Sequence, residues 1–304
     1  MKCLYIINPN SGTGITNTTI TYIVSQLKTK YNEVDVLKTT KRGDARGFAC
    51  DACGVYDTIV VSGGDGTLNE IIDGIANKDN RPKIGYIPTG TTNDLAHSLK
   101  ISTNVKKSIK LILDDHTIKH DIFKAGDLYG IYVCAFGIFT GSSYNASQKA
   151  KKAFGKLAYY VNGAKELGKV RKFPISLKYN GEELKTDIIL GVIANSKYVS
   201  GYKINNKADC TDGNVNVILF KEKSKKRVSI KSLFNIFKSF LFGIKTIKNS
   251  KDCIVLELNK FSCELNNKNV VNIDGEFGFT GSFNFEVIPG HVEIFVNKNY
   301  KTEC

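Results

Sequence analysis

No stretch of this 304-residue chain reaches the ~18 consecutive apolar residues needed to span a membrane. The N-terminus lacks a leader pattern as well. Its apolar run, Cys3–Ile7, is five residues long and opens directly into a polar loop, so it reads as a first strand rather than a signal peptide. The chain is therefore expected to remain in the cytoplasm. The eight cysteines lack framework spacing, which suits small buried thiols in a reducing compartment. Cys50 and Cys53 alone stand at redox or zinc spacing, without the second pair or nearby histidines that a metal site needs. Internal repeats and low-complexity segments are also missing. Acidic residues are in short supply: 29 Asp and Glu face 43 Lys and Arg, a net charge of +14. Such an excess favours an anionic partner, whether nucleic acid, nucleotide or an acidic membrane face.

What is present is a chain long enough for about two domains, and it has two rhythms. Cys3–Ile7, Val34–Leu37, Thr58–Val61 and Ile84–Ile87 are strand-like runs, each followed by a polar loop and a helical stretch. Ile20, Ile23, Val24 and Leu27 form one helical stripe, and Leu68, Ile71, Ile72 and Ile75 form another. A further helical stretch opens at Asp44, and another carries Leu95 and Leu99. Repeated strand–loop–helix units imply a parallel sheet covered by helices. From about Asp121 the runs become short and β-branched or aromatic: "GIYVCAFGIF", "ISLKY", "DIILGVI", "NVNVILF", "CIVLEL", "VVNID", "FNFEV" and "VEIFV". Asn180-Gly181 is a hairpin signal between two strands. The expected fold is α/β plus β. An N-terminal Rossmann-like parallel sheet with helices precedes an antiparallel β-sandwich with helical insertions near Ser147–Gly168 and Val228–Ile247. The expected domains are 1–121, to which a tail at about 292–304 is a candidate to return, and 122–291.

Ligands of parallel α/β sheets bind beyond the carboxyl ends of the strands. Three loops rich in Gly, Ser, Thr and Asn lie there. "TIVVSGGDGTLNEII" (58–72) places Asp65 inside a glycine turn, ahead of a helix expected to begin near Thr67. Such glycines let backbone N–H groups approach an oxyanion, and the helix adds its positive end. The spacing is neither a Walker A loop nor a dinucleotide fingerprint. A carboxylate there would repel a bare triphosphate. Either a divalent cation stands between them, or Asp65 fixes the loop through backbone hydrogen bonds. Asn8-Pro9-Asn10-Ser11-Gly12 and Pro88–Asp94 occupy equivalent places after neighbouring strands, where such residues also serve as helix caps. In the second half, Asp209 and Asp212-Gly213-Asn214 precede a strand, and Ile273-Asp274-Gly275-Glu276 places Glu276 just past a strand end. Asp-Gly is also plain turn chemistry.

"GGDGTLNEIIDGI" together with "IPTGTTNDLA" resembles the diacylglycerol kinase catalytic-domain family, in its bacterial soluble lipid-kinase branch. "NPNSG", "ADCTDGNVNV" and "NIDGEFG" extend the likeness over nearly the whole chain in the expected order. The resemblance implies an ATP-binding α/β domain, a β-rich lipid-facing domain and catalysis between them. It implies ATP contacts at Asn8, Pro9, Asn10, Ser11, Gly12, Thr39, Gly63, Gly64, Asp65, Gly66, Thr67, Leu68, Asn69 and Thr91. Asp65 would belong to the ATP–magnesium site. Glu276 would be the base that draws the proton from a lipid hydroxyl. Asp209, Asp212 and the backbone carbonyl of Asn214 would hold a structural Mg2+. Some members carry an acidic residue directly before that Asp-Gly. Here the position is Thr211, and Asp209 is the candidate to compensate.

A lipid substrate requires a visit to the bilayer. Ile230, Leu233, Phe234, Phe237, Phe240, Leu241 and Ile244 lie at helical spacing, and Lys221–Lys251 holds ten Lys or Arg and a single Glu. Lys149, Lys151, Lys152 and Lys156, with Tyr159 and Tyr160, form a second patch. Both suit peripheral docking on the anionic inner face of the membrane, and the bland alternative is a stripe packed on the core. Phosphorylation of diacylglycerol is the leading expectation. A soluble NAD kinase-type enzyme, which shares GGDGT, and a non-catalytic nucleotide-binding regulator stay open beside it. No motif supports nucleic-acid recognition, and a homodimer stays open.

Overall fold

In the computed structural model, the structure describes residues 1–12, 14–138, 172–206, 208–222, 236 and 252–301. Apart from Ile236, the two expected helical insertions, with the apolar stripe and the lysine–tyrosine patch read on them, lie outside the described residues. Contacts divide the chain into Met1–Ile122 with Pro289–Cys304, and Phe123–Ile288.

The first unit alternates β1 (Lys2–Ile7), α1 (Asn17–Leu27), β2 (Glu33–Lys38), α2 (Asp44–Ala52), β3 (Thr58–Gly63), α3 (Asp65–Ile75), β4 (Lys83–Pro88), α4 (Asp94–Ser98) and α5 (Val105–Leu113). β1 lies between β2 and β3, β4 follows β3, and all these pairings are parallel. β3 is buried along its whole length, and β1 and β4 are buried at every position but the first, as expected of strands covered on both faces. Among the described residues β2 pairs only with β1; its charged, exposed sequence EVDVLK suits the edge. α1 buries Ile23 and Leu27, and α3 buries Leu68, Ile71, Ile72 and Ile75, so both stripes face the sheet.

Register brings the strand ends level. Ile7 pairs with Lys38 and Ser62, and Gly63 pairs with Pro88. Past these pairs, Asn8 N donates to Ser62 O, Thr39 N to Ile7 O and Thr89 N to Gly63 O, each at 2.8 Å. Each loop therefore leaves the sheet tied to the end of its neighbour.

The second unit starts within β5 (Thr117–Ala125) and continues through β6 (Leu128–Gly130), β7 (Val133–Gly137), β8 (Phe173–Tyr179), β9 (Glu182–Ala194), β10 (Tyr198–Val199), β11 (Tyr202–Lys203) and β12 (Val215–Lys221). β13 (Cys253–Leu258), β14 (Lys260–Glu264), β15 (Val270–Ile273), β16 (Glu276–Thr280) and β17 (Phe283–Phe295) follow. Its pairings are antiparallel, in the order β16-β15-β7-β9-β8-β14-β17, with β12 joining β9 to β13. The core comes from alternating inward residues such as Val215, Val217 and Leu219. It also holds a stack of Phe123, Phe285 and Phe261, with ring centroids 5.0 and 4.8 Å apart. Asn180 and Gly181 both have positive φ, 48° and 80°, which is the type I′ turn their sequence signals.

One reading of the strands changes. "FNFEV" and "VEIFV" are a single strand, β17, running through Pro289. Its first half pairs with β14 in the second unit. Past Pro289 the chain is again in the first unit, where Ile294 lies parallel to Ile84 of β4.

Candidate active site

The glycine turn of the first unit is a crossing point for three loops. α3 begins at Asp65, two residues earlier than its apolar pattern suggests, with Gly64 as an extended N-cap that has no capping side chain. Asp65 is buried, and its carboxylate turns away from its own helix toward α4. Oδ2 accepts the Asp94 N–H at 3.0 Å and the Thr92 hydroxyl at 3.1 Å, and Oδ1 accepts the Leu95 N–H at 3.3 Å. Those amides are donors that a helix start leaves without intrahelical partners. Burial raises the Asp65 carboxyl above the usual carboxylate range, while these donors and the His97 charge pull it back. Of the two roles the sequence left open for this carboxylate, the loop-fixing one is built from its own hydrogen bonds. Asp65 supplies the oxygens that meet the first two N–H groups of α4.

Asn93 secures the same loop from inside. Its side chain accepts from Gly90 N and donates to Gly90 O, both at 2.9 Å, and the Tyr86 hydroxyl reaches its Oδ1 at 3.3 Å. Asn8 Nδ2 donates to Thr67 Oγ1 at 2.8 Å, joining the first loop to the glycine turn. Ser11 and Thr67 are buried, Pro9, Asn10 and Thr91 are exposed, and Thr39 is buried with its hydroxyl turned to the Ile7 carbonyl. The loops touch through backbone that only glycine permits. Gly12 has φ +53°, and a Cβ there would overlap the Thr89 carbonyl. A Cβ on Gly90 would come within 2.5 Å of the Gly64 Cα. The Thr89 hydroxyl is buried in this crossing without a hydrogen-bond partner.

In the second unit, Asp209 Oδ1 accepts from Thr211 N at 3.0 Å and Thr211 Oγ1 at 2.7 Å. Asp212 Oδ1 accepts from Asn214 N at 2.8 Å. Each acidic residue thus closes a turn of its own, and Thr211 is the residue that engages Asp209. Among the described residues, no three His, Cys, Asp or Glu side chains gather to hold a metal ion. Glu276 is the first residue of β16 and pairs with Ile273 across the Asp274-Gly275 turn, so it stands just past the end of β15, at the terminal pair of the hairpin ladder. Phe277 beside it is exposed. Asp274 is buried, and its carboxylate accepts the N–H groups of Ile131, Tyr132 and Val133.

Residues 2–125 match the diacylglycerol kinase catalytic domain, and residues 137–296 match the YegS C-terminal NAD kinase beta sandwich-like domain. A diacylglycerol kinase of Staphylococcus haemolyticus is 30% identical over 99% of this chain and 90% of its own length. One from Staphylococcus aureus is 31% identical over 98% and 93%. The chain belongs to the diacylglycerol kinase family. A crystal structure of a diacylglycerol kinase from Bacillus anthracis strain Sterne matches this family member with a TM-score of 0.77 at 25% identity, covering 99% of this chain and 98% of that one. A second crystal structure from the same strain gives 0.84 at the same identity and coverage.

Membership of a kinase family implies ATP, and the first unit fits a phosphate-bearing ligand. Its glycine backbones are packed without room for Cβ atoms, and an unsatisfied hydroxyl lies among them. Sequence reasoning for this diacylglycerol kinase family member passed over Asn93, Thr92, Thr89 and Asp274. The first three sit in a quoted motif, and their hydrogen-bonding capacity was the available signal. Asp274 looked like turn chemistry, and nothing local in sequence announces donors 141 to 143 residues away.

Proposed function

We propose that this chain transfers the γ-phosphoryl group of ATP to the hydroxyl of diacylglycerol, giving phosphatidic acid and ADP. The observation that carries the reading is similarity along nearly the full length to proteins named diacylglycerol kinase. Residues 1–121, with 292–304 returning to them, are assigned to ATP, and 122–291 to the lipid. Asn8–Gly12, Thr39, Gly63–Asn69 and Thr91 are the proposed ATP contacts. Asp65 acts there by holding the start of α4, and so the third loop, in place. Glu276 accepts the proton of the lipid hydroxyl as that oxygen bonds to phosphorus and the bond to ADP breaks.

Mg2+ is assigned to ATP and, structurally, to Asp209, Asp212 and the carbonyl of Asn214. The donor set suits a hard, oxygen-seeking cation in kind. One oxygen of each carboxylate is already committed to a turn, so carbonyls and water would complete the shell. The bound ion would neutralise charge on the phosphates. The anionic inner face of the membrane is the proposed docking partner. Transfer of labelled γ-phosphate from ATP into a panel of neutral lipids, with NAD included, tests the proposal. Label should enter diacylglycerol and not NAD; label in NAD alone, or in no acceptor, contradicts it.

A further inference from the structure

An Asp-Gly type I′ turn asks only that its first residue tolerate a left-handed backbone, and Asp274 has φ 49°. A solvated side chain would be enough for that. Asp274 is instead 2% exposed and does more. Its Oδ2 accepts the Ile131 N–H at 2.7 Å, and its Oδ1 accepts those of Tyr132 and Val133 at 3.0 and 2.9 Å. Only an ionised carboxylate offers acceptors alone, with room for three donors, in a side chain of this size.

The clamped segment is held on its other side too. Asn195 donates from Nδ2 to the Ile131 carbonyl at 3.0 Å and from its backbone N to the Tyr132 carbonyl at 2.9 Å. The Val133 carbonyl accepts the Asp274 N–H at 2.8 Å. Every backbone polar group of Ile131, Tyr132 and Val133 is therefore bonded to Asp274 or Asn195. The turn has one more tie, from Gly275 N to Asn272 Oδ1 at 2.9 Å. A Cβ on Gly275 would lie 3.4 Å from the Tyr132 hydroxyl. The next residue is Glu276. Its main chain is thus anchored by a fully bonded segment distant in sequence, the kind of support that holds a reacting group within a fraction of an ångström.

The geometry points to Asp274 as the positioning residue for Glu276, setting the aim of that carboxylate by locking its hairpin onto residues 131–133. This rests on the reading of Glu276 as the base. Asp274→Asn tests it, because Asn accepts a left-handed backbone as readily as Asp does. The substitution turns one acceptor oxygen into an NH2, which faces donor N–H groups. A misplacement near 1 Å can lower a rate about 100-fold. Transfer by Asp274→Asn should fall by about 10- to 100-fold in kcat, with KM for ATP within about two-fold of wild type.

The same substitution in a Glu276→Gln background should cost nothing further, since a positioning residue has no effect once its target is gone. Wild-type kcat in Asp274→Asn overturns the inference. A loss that repeats in full on the Glu276→Gln background also overturns it, because that marks general damage. Should Asp274→Asn not fold, Asn272→Ala, which releases the Gly275 N–H of the same turn, takes its place under the same two criteria. Wild-type transfer by Glu276→Gln alone would remove the base reading itself and the inference with it, a result obtained without touching Asp274.

Discussion

Removing the Asp65 side chain strands two backbone N–H groups and a hydroxyl at the start of α4. A buried donor left unsatisfied costs about 1–3 kcal/mol, so Asp65→Ala should lower the urea midpoint clearly, while Asp65→Asn, which keeps one acceptor oxygen, should lower it less. Equal, negligible effects from both would contradict the capping role. At this scale the sequence was informative about residue types and mute about direction. The spacing in GGDGT placed a carboxylate in a phosphate-type turn, but whether that group faced a cation or a neighbouring helix depended on Asp94 and Leu95, about thirty residues further on. Asp274 repeats the lesson, because its donors lie at and just before the start of β7, far away in sequence.

Elements were legible where the apolar period was strong. The stripe from Leu68 to Ile75 and the runs of β1, β3 and β4 stand where the pattern placed them, with ends one or two residues longer. α5 escaped the periodicity argument because three lysines interrupt nine residues, although Asn104 caps it by accepting Lys107 N at 3.2 Å. β17 was read as two runs because Pro289-Gly290 looks like punctuation. Its later half is pinned by His291, whose Nε2 donates to the Ala76 carbonyl at 2.7 Å, and by Arg81, which donates to the His291 carbonyl at 3.0 Å.

Burial holds the His291 imidazole below its ordinary value, and the Arg81 charge adds to this against the Ala76 hydrogen bond. The unfolded chain therefore binds this proton at higher pH than the folded one, and stability falls as pH drops through about 6.5. Asp44, Asp114 and Asp115, which hydrogen bonds hold below the usual carboxylate range, lose their contributions only at more acidic pH. Between about pH 7.5 and about pH 5.5 the urea midpoint of the wild type should fall more than that of His291→Gln. Parallel midpoints would show that His291 does not titrate out of its site.

At the scale of the molecule, charge is distributed unevenly along the chain. Residues 139–171 carry seven Lys or Arg and one Glu, and residues 223–251 carry nine Lys or Arg and no acidic residue. Each such cation near an anionic leaflet contributes about 1 kcal/mol, screened by salt. The protein should co-sediment with anionic liposomes at low salt and be released as salt rises, whereas equal recovery with neutral liposomes would argue against electrostatic docking. No described helix is long and apolar enough to cross a membrane. The proposed transfer needs both the nucleotide loops and Glu276. Glu276→Gln measures it most directly, with ATP affinity and label transfer into diacylglycerol read on the same preparation. ATP affinity should stay within about two-fold of wild type while transfer falls by about 100-fold or more. Transfer at the wild-type rate would contradict the account.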